Sequence, residues 1–365
     1  NFLNVRLFFI LFFFFEILVF SYFNKTSSYA DLIWHINSGQ KILSGNWNLD
    51  HVIYSPLFSV ITNLLHKNVN NLFFRFISEL LKLILIFITS FLLLLTIDFK
   101  KISNLKEIRI SDFFPLAFLI FNPYIVKYSA PPYSDTYSLI AGLIFTLRYS
   151  YTDLSKNIKN QINIFCIYIT GKRYYPVIIF LSLIRYPVAI IFFASIIYDL
   201  LLNISKKYNK LFCSFLKYIF LTGMIILIFY LSNIHIEKSN LNTNNIVLIS
   251  TFIISTLGFR ESLATDLSNP FNLINAERVA ELFLSKNILI SQLELQLTIL
   301  VGITLFLISL ISIFRIFYFK SSLAIPFLIA SLMLISSELF IGYAHYRYFL
   351  LLLPSVVISL NFKKN

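Results

Sequence analysis

The chain has 365 residues, of which 58% are hydrophobic and only 13% charged, whereas roughly a quarter of the residues of an ordinary water-soluble domain carry charge. That balance argues against a soluble domain and for lipid as the solvent of much of the chain, with room for about ten apolar spans of about 20 residues each. The net charge of +13 would suit a nucleic-acid partner, but its distribution points elsewhere. The expected fold class is therefore all-α, a polytopic transmembrane helical bundle forming a single integral membrane domain over 1–365, with interfacial helices in its first outer loop.

In chain order, apolar runs predict spans near 5–23, 72–97, 113–126, 136–150, 174–184, 187–203, 218–234, 293–314, 323–340 and 348–361. With the N-terminus placed in the cytoplasm, the segments 1–6, 98–112, 148–173, 203–217, 315–322 and 361–365 fall on the same side. They hold 18 of the 30 Lys and Arg but only four of the 17 acids, Asp98, Glu107, Asp112 and Asp153. This is the asymmetry of the positive-inside rule, so the basic excess reads as topology and no nucleic-acid partner is expected. The compact loops favour a bacterial inner membrane, with the ER membrane as the alternative. Two outer segments are long, 24–71 and 235–292. Cys166 and Cys213 sit near predicted helix ends and imply no disulfide framework.

The first outer loop carries the most information. Residues 29–60 read YADLIWHINSGQKILSGNWNLDHVIYSPLFSV. Asp31 opens a helix-like stretch in which Ile33, Ile36, Ile42 and Leu43 form an apolar stripe, Trp34 an anchor, and Gly39 and Gly45 punctuation. A helix lying on a membrane surface is expected here. Ser55-Pro56-Leu57 then leads into the next apolar run. Elsewhere Pro131-Pro132-Tyr133-Ser134-Asp135 precedes the fourth span, Arg185-Tyr186-Pro187 separates the fifth from the sixth, and His345-Tyr346-Arg347-Tyr348 precedes Pro354 and the last.

Taken together these segments resemble the GT-C superfamily of membrane glycosyltransferases, in particular the branch of protein mannosyltransferases and lipid A aminoarabinose transferases. Asp31 matches the first acid of that branch's opening pair, although Leu32 replaces the second. Gly45-Asn46-Trp47 matches its turn and Ser55-Pro56-Leu57 its Pro-Pro-Leu element. The Ser134-Asp135, Arg185 and Arg347 segments fit it in order. The resemblance covers about residues 1–200 and the last 30. It implies an inverting transfer of a sugar from a polyprenyl-phosphate carrier to a lipid, glycan or protein acceptor on the extracytoplasmic face, with membrane lipid as the surroundings and no cofactor.

On that reading Asp31 is the general base, because an acceptor hydroxyl must lose a proton as it attacks. Arg347 and Arg185 bind the donor phosphate, for which the planar guanidinium fork is suited. His35, Asp50, Asp135, Tyr346 and His345 contact substrate. Each residue also has a structural reading. Asp31 and Asp135 suit helix N-termini, Asp50 a turn, and the arginines a headgroup contact through their long stems. Glu16, inside the first apolar run, is a site candidate or a packing residue. No His and acid cluster has metal-ligand spacing. Two rival classes are a polysaccharide polymerase or ligase acting on polyprenyl-linked glycans, which the sparse arginines of 235–292 disfavour, and a multi-span transporter, disfavoured by the absence of an internal repeat.

Overall fold

The computed structural model describes residues 2–23, 29–46, 55–66, 72–99, 112–120, 122, 125–126, 129, 134–165, 169–171, 173–204, 307–341 and 350–362. The regular elements among them are helices: α1 (Phe2–Phe23), α2 (Tyr29–Leu43), α3 (Pro56–His66), α4 (Leu72–Leu95), α5 (Phe114–Ile120), α6 (Asp135–Ser150), α7 (Lys156–Phe165), α8 (Tyr174–Ile184), α9 (Val188–Ile204), α10 (307–318), α11 (Ala324–Ile341) and α12 (Leu353–Ser359). A short 3-10 turn, Tyr151–Asp153, follows α6.

The helical character matches expectation, but the ten-span bundle does not. No helix among the described residues is long and apolar enough to cross a membrane. This overturns the transmembrane fold class and, with it, the placement in a bacterial inner membrane or an ER membrane. The apolar runs are cut into pieces. The run at 113–126 contributes seven residues of helix in α5, that at 174–184 eleven in α8, and that at 348–361 seven in α12. At 1.5 Å per residue these reach only about 10–17 Å, against a hydrocarbon core of about 30 Å. The 16 residues of α6 and the 17 of α9 also fall short, and their sequences include Asp135, Arg148 and Asp199. The longer α4 carries Arg75, Glu79 and Lys82 in its first half, and α1 carries Arg6 and Glu16.

Helix α6 is the axis of the fold. It touches α4, α8, α9 and α12, and nearly its whole length is buried. Its closest approach is to the turn before α12. A methyl group at Gly142 would lie 1.9 Å from the Leu351 carbonyl oxygen, so only glycine lets the two backbones meet. One turn on, the Thr146 and Ser355 hydroxyls bond at 2.7 Å across the same contact. On either side, α8, α9 and α11 pack around Tyr174, Phe192 and Phe327, while α1 packs on α4 through Phe13, Ile17, Ile86 and Leu94.

The α2–α3 pair departs from the expected surface helix. Its buried face is mostly small and polar, and of the Ile33, Ile36, Ile42 and Leu43 stripe only Ile42 is buried. His35, Ser38, Gly39 and Ile42 of α2 meet Ser59, Thr62 and Asn63 of α3, while Ile33, Leu43, Ile61 and Leu64 are exposed. Gly39 explains the arrangement, since a Cβ there would lie 2.1 Å from the Ser59 carbonyl oxygen. Asn63 Nδ2 donates to the Ile36 carbonyl at 2.8 Å. Gly45 ends α2 with φ +83°, and the Asn46 N–H donates back to Lys41 O at 2.9 Å, the closing bond of a glycine-terminated helix.

Candidate functional site

Three of the four sequence segments that carry the resemblance meet at the N-terminal end of α6. The sequence starts α6 at Asp135, because the Pro131-Pro132 pair before it cannot continue a helix and a carboxylate in the first turn complements the helix dipole. The chain between α8 and α9 breaks at Arg185-Tyr186-Pro187. Proline biases the residue before it towards extended backbone and cannot supply an N–H to the preceding turn. Arg185 itself is extended, at φ −143° and ψ 109°, while its N–H still closes α8 on Leu181 O at 2.8 Å.

At this break Arg185 Nη2 donates to Asp135 Oδ1 at 2.8 Å, with the two side chains only 4% and 2% exposed. The pair is thus withdrawn from water. Leaving either charge alone there would cost about 3–5 kcal/mol, which is why the two belong together. The Arg185 guanidinium also lies 5.9 Å from the Tyr186 ring centroid. Beside Asp135, the Ser134 hydroxyl lies 3.4 Å from that of Ser55, and both serines are buried. Ser55 has φ 95°, a left-handed conformation that costs a non-glycine residue about 1–3 kcal/mol. Pro56 immediately after it then opens α3.

Aromatic rings continue the contact towards α2. Phe58 sits 6.3 Å from Tyr137 of α6 and 4.9 Å from His35 of α2, both edge-on, and His35 meets Trp34 at 5.2 Å. The His35 Nδ1 and the Ser59 hydroxyl bond at 2.9 Å. Asp31 occupies the first turn of α2, one turn before His35 along the helix, and its side chain lies outside the described residues. The structure therefore brings Asp135, Arg185 and His35 to one end of the fold through Ser55, Ser134 and Phe58. Asp50 and the His345, Tyr346 and Arg347 segment lie outside the described residues, as do Cys166, Cys213 and all of 235–292. Glu16 is half-buried on α1, well separated in sequence from this cluster, and its Oε2 is buried with no hydrogen-bond partner among the described residues.

A second polar cluster, which the sequence reading did not single out, lies at the opposite end of α6. Arg148 Nη2 donates to Asp199 Oδ2 at 2.9 Å and Nη1 to Thr170 O at 2.8 Å. The Tyr175 and Tyr149 hydroxyls also donate to Asp199, at 2.5 and 3.3 Å. The Arg148 guanidinium stacks 4.4 Å from the Tyr174 ring centroid, and the Tyr174 and Ser195 hydroxyls bond at 2.6 Å. One signal could have found this cluster. Asp199 is an acid inside the apolar run 187–203, the same feature that drew attention to Glu16.

No group of three or more His, Cys, Asp or Glu among the described residues is arranged to hold a metal ion. Comparison of the chain with family models, with curated proteins and with solved structures gives no match.

Proposed function

We propose that the chain is an inverting glycosyltransferase that takes its sugar from a polyprenyl-phosphate donor. The observation that supports this reading is the meeting of Ser55-Pro56-Leu57, Ser134-Asp135 and Arg185 at one end of α6, joined by contacts of 3.4 and 2.8 Å. These segments are 50 or more positions apart along the chain, and the sequence alone related them only through their resemblance to one family.

In the proposed reaction an acceptor oxygen forms a bond to the anomeric carbon as the bond from that carbon to the phosphate oxygen breaks. The acceptor proton passes to the Asp31 carboxylate. The bonding electron pair leaves with the lipid phosphate, which gains a negative charge that Arg185 and Arg347 stabilise. His35, Asp50, Asp135, Tyr346 and His345 are the proposed substrate contacts. The donor carries its own activation, so the reaction needs no nucleotide-binding loop. Lipid, glycan and protein hydroxyls are the candidate acceptors.

The test is direct. The full chain is incubated with a panel of radiolabelled hexosyl polyprenyl phosphates, and both release of polyprenyl phosphate and transfer of label are followed. Release coupled to transfer, with inversion at the anomeric carbon, is expected. Failure to release lipid phosphate from any donor, across lipid, glycan and peptide acceptors, would sink the proposal.

A further inference from the structure

The buried ion pair at the end of α6 does more than fill space in that reaction. We infer that Asp135 is a competing anion that holds Arg185 until the phosphate of the donor acquires its second negative charge. This rests on the glycosyl-transfer reading, and it concerns when Arg185 is delivered.

Three observations carry it. First, the guanidinium proposed to meet the phosphate already has a carboxylate at 2.8 Å, and both side chains are at most 4% exposed. A ligand reaching Arg185 therefore meets a carboxylate already bound to the guanidinium, and the two anions compete for it. Second, the two partners sit on different kinds of backbone. Asp135 is fixed in the first turn of the buried α6, whereas Arg185 lies in the extended break between α8 and α9 on a long side chain. Arg185, on the longer side chain and outside the helix, is the partner with the greater reach. Third, Asp135 lies in the first turn of α6, at the positive end of the helix dipole. That dipole stabilises a carboxylate whose cation has moved away.

The charge arithmetic then sets the timing. The donor is a phosphodiester with one negative charge, no better than a carboxylate as a partner for Arg185. As the glycosidic bond breaks, the phosphate becomes a monoester carrying close to two charges near neutral pH, since its second pKa is about 6. Only then does it outcompete Asp135. Arg185 thus contributes more to the transition state and product than to the bound donor, which is the condition for raising the rate and not merely the affinity.

Farnesyl phosphate and its monomethyl ester serve as probes of the two charge states, at pH 8 with the full chain. The Asp135→Asn variant should bind farnesyl phosphate at least about tenfold more tightly than the unsubstituted protein, because the competing charge is gone. If Asp135 merely holds Arg185 in place, the same variant binds equally or more weakly, and the inference is overturned. A second readout uses the unsubstituted protein and so survives a variant that fails to fold. Carbodiimide with an amine nucleophile, followed by peptide mass spectrometry, should modify Asp135 when farnesyl phosphate is present, and leave it intact with the methyl ester or with no probe. Modification under all three conditions, or under none, contradicts the exchange. Absence of sugar transfer alongside both expected results would remove the glycosyl-transfer reading and leave the exchange standing.

Discussion

The two ends of α6 each carry an arginine–aspartate pair, but they are built to different ends. At the C-terminal end, Arg148 and Asp199 are 22% and 15% exposed, and their bonds extend to Thr170, Tyr149 and Tyr175, with the ring of Tyr174 beneath. Such a cluster ties the α6 end and residues 169–171 to α8 and α9, and it is a fastening. At the N-terminal end, Arg185 and Asp135 are almost wholly enclosed, one of them on a chain break, next to a serine in a left-handed backbone conformation. Buried charge and local strain in one place are the features on which the proposed site rests, and the fastening lacks them. An ion pair by itself is therefore weak evidence of function. What surrounds it distinguishes the two.

That contrast can be broken or sharpened by substitution. The largest effect is expected at the enclosed end. Arg185→Lys keeps the charge but loses the planar fork, and the turnover of lipid-linked sugar should fall by about 10²-fold, comparable to losing one donor to a developing oxyanion. Undiminished turnover would reduce the enclosed pair to a second fastening. Midway along the helix, Gly142→Ala places a methyl against the Leu351 backbone. Overpacking of this kind should cost about 1–3 kcal/mol in thermal melting. An unchanged melting temperature would mean that α6 and the turn before α12 are not in contact as described.

The open end should behave differently. Asp199→Asn weakens the acceptor shared by Arg148, Tyr149 and Tyr175, and a loss of about 1–3 kcal/mol in stability is expected, with turnover of the folded fraction unaltered. A selective loss of turnover would place that cluster in the site after all. The smallest effect belongs to Ser55→Gly, which relieves the left-handed conformation at φ 95°. Chemical denaturation should show a gain of about 1 kcal/mol, and a loss would show that the Ser55 hydroxyl contributes more than its backbone costs.

Local features of this architecture were readable from the sequence, because they are written in neighbouring residues. The stretch expected to form a helix from Asp31 does so, between Tyr29 and Leu43, and Gly45 ends it. The break at Arg185-Tyr186-Pro187 and the start of α6 at Asp135 fall where proline dictates. Apolar content does not announce where a helix ends: α5, α8 and α12 take up only seven, eleven and seven residues of the runs that contain them, and no helix among the described residues is long and apolar enough to cross a membrane. The buried face of α2 is equally hidden from the apolar pattern. The approach of α2 to α3 is set by Gly39 and Ser59, so small polar groups turn inward and Ile33 and Leu43 turn out. The pairings Asp135 with Arg185 and Arg148 with Asp199 join residues about 50 positions apart, and no local pattern announces them.

The measurement that bears most directly on the account is transfer of labelled sugar from polyprenyl phosphate by the Asp31→Asn variant beside the unsubstituted chain. Asn keeps the size of Asp, and loss of a carboxylate from the first turn of α2 costs a helix at most about 1 kcal/mol, so folding is preserved. Loss of the proton-accepting charge should lower turnover by about 10²–10⁴ if Asp31 is the general base. The account predicts that fall with a loss of stability no larger than about 1 kcal/mol. Transfer by a well-folded Asp31→Asn protein at the rate of the unsubstituted chain would contradict it.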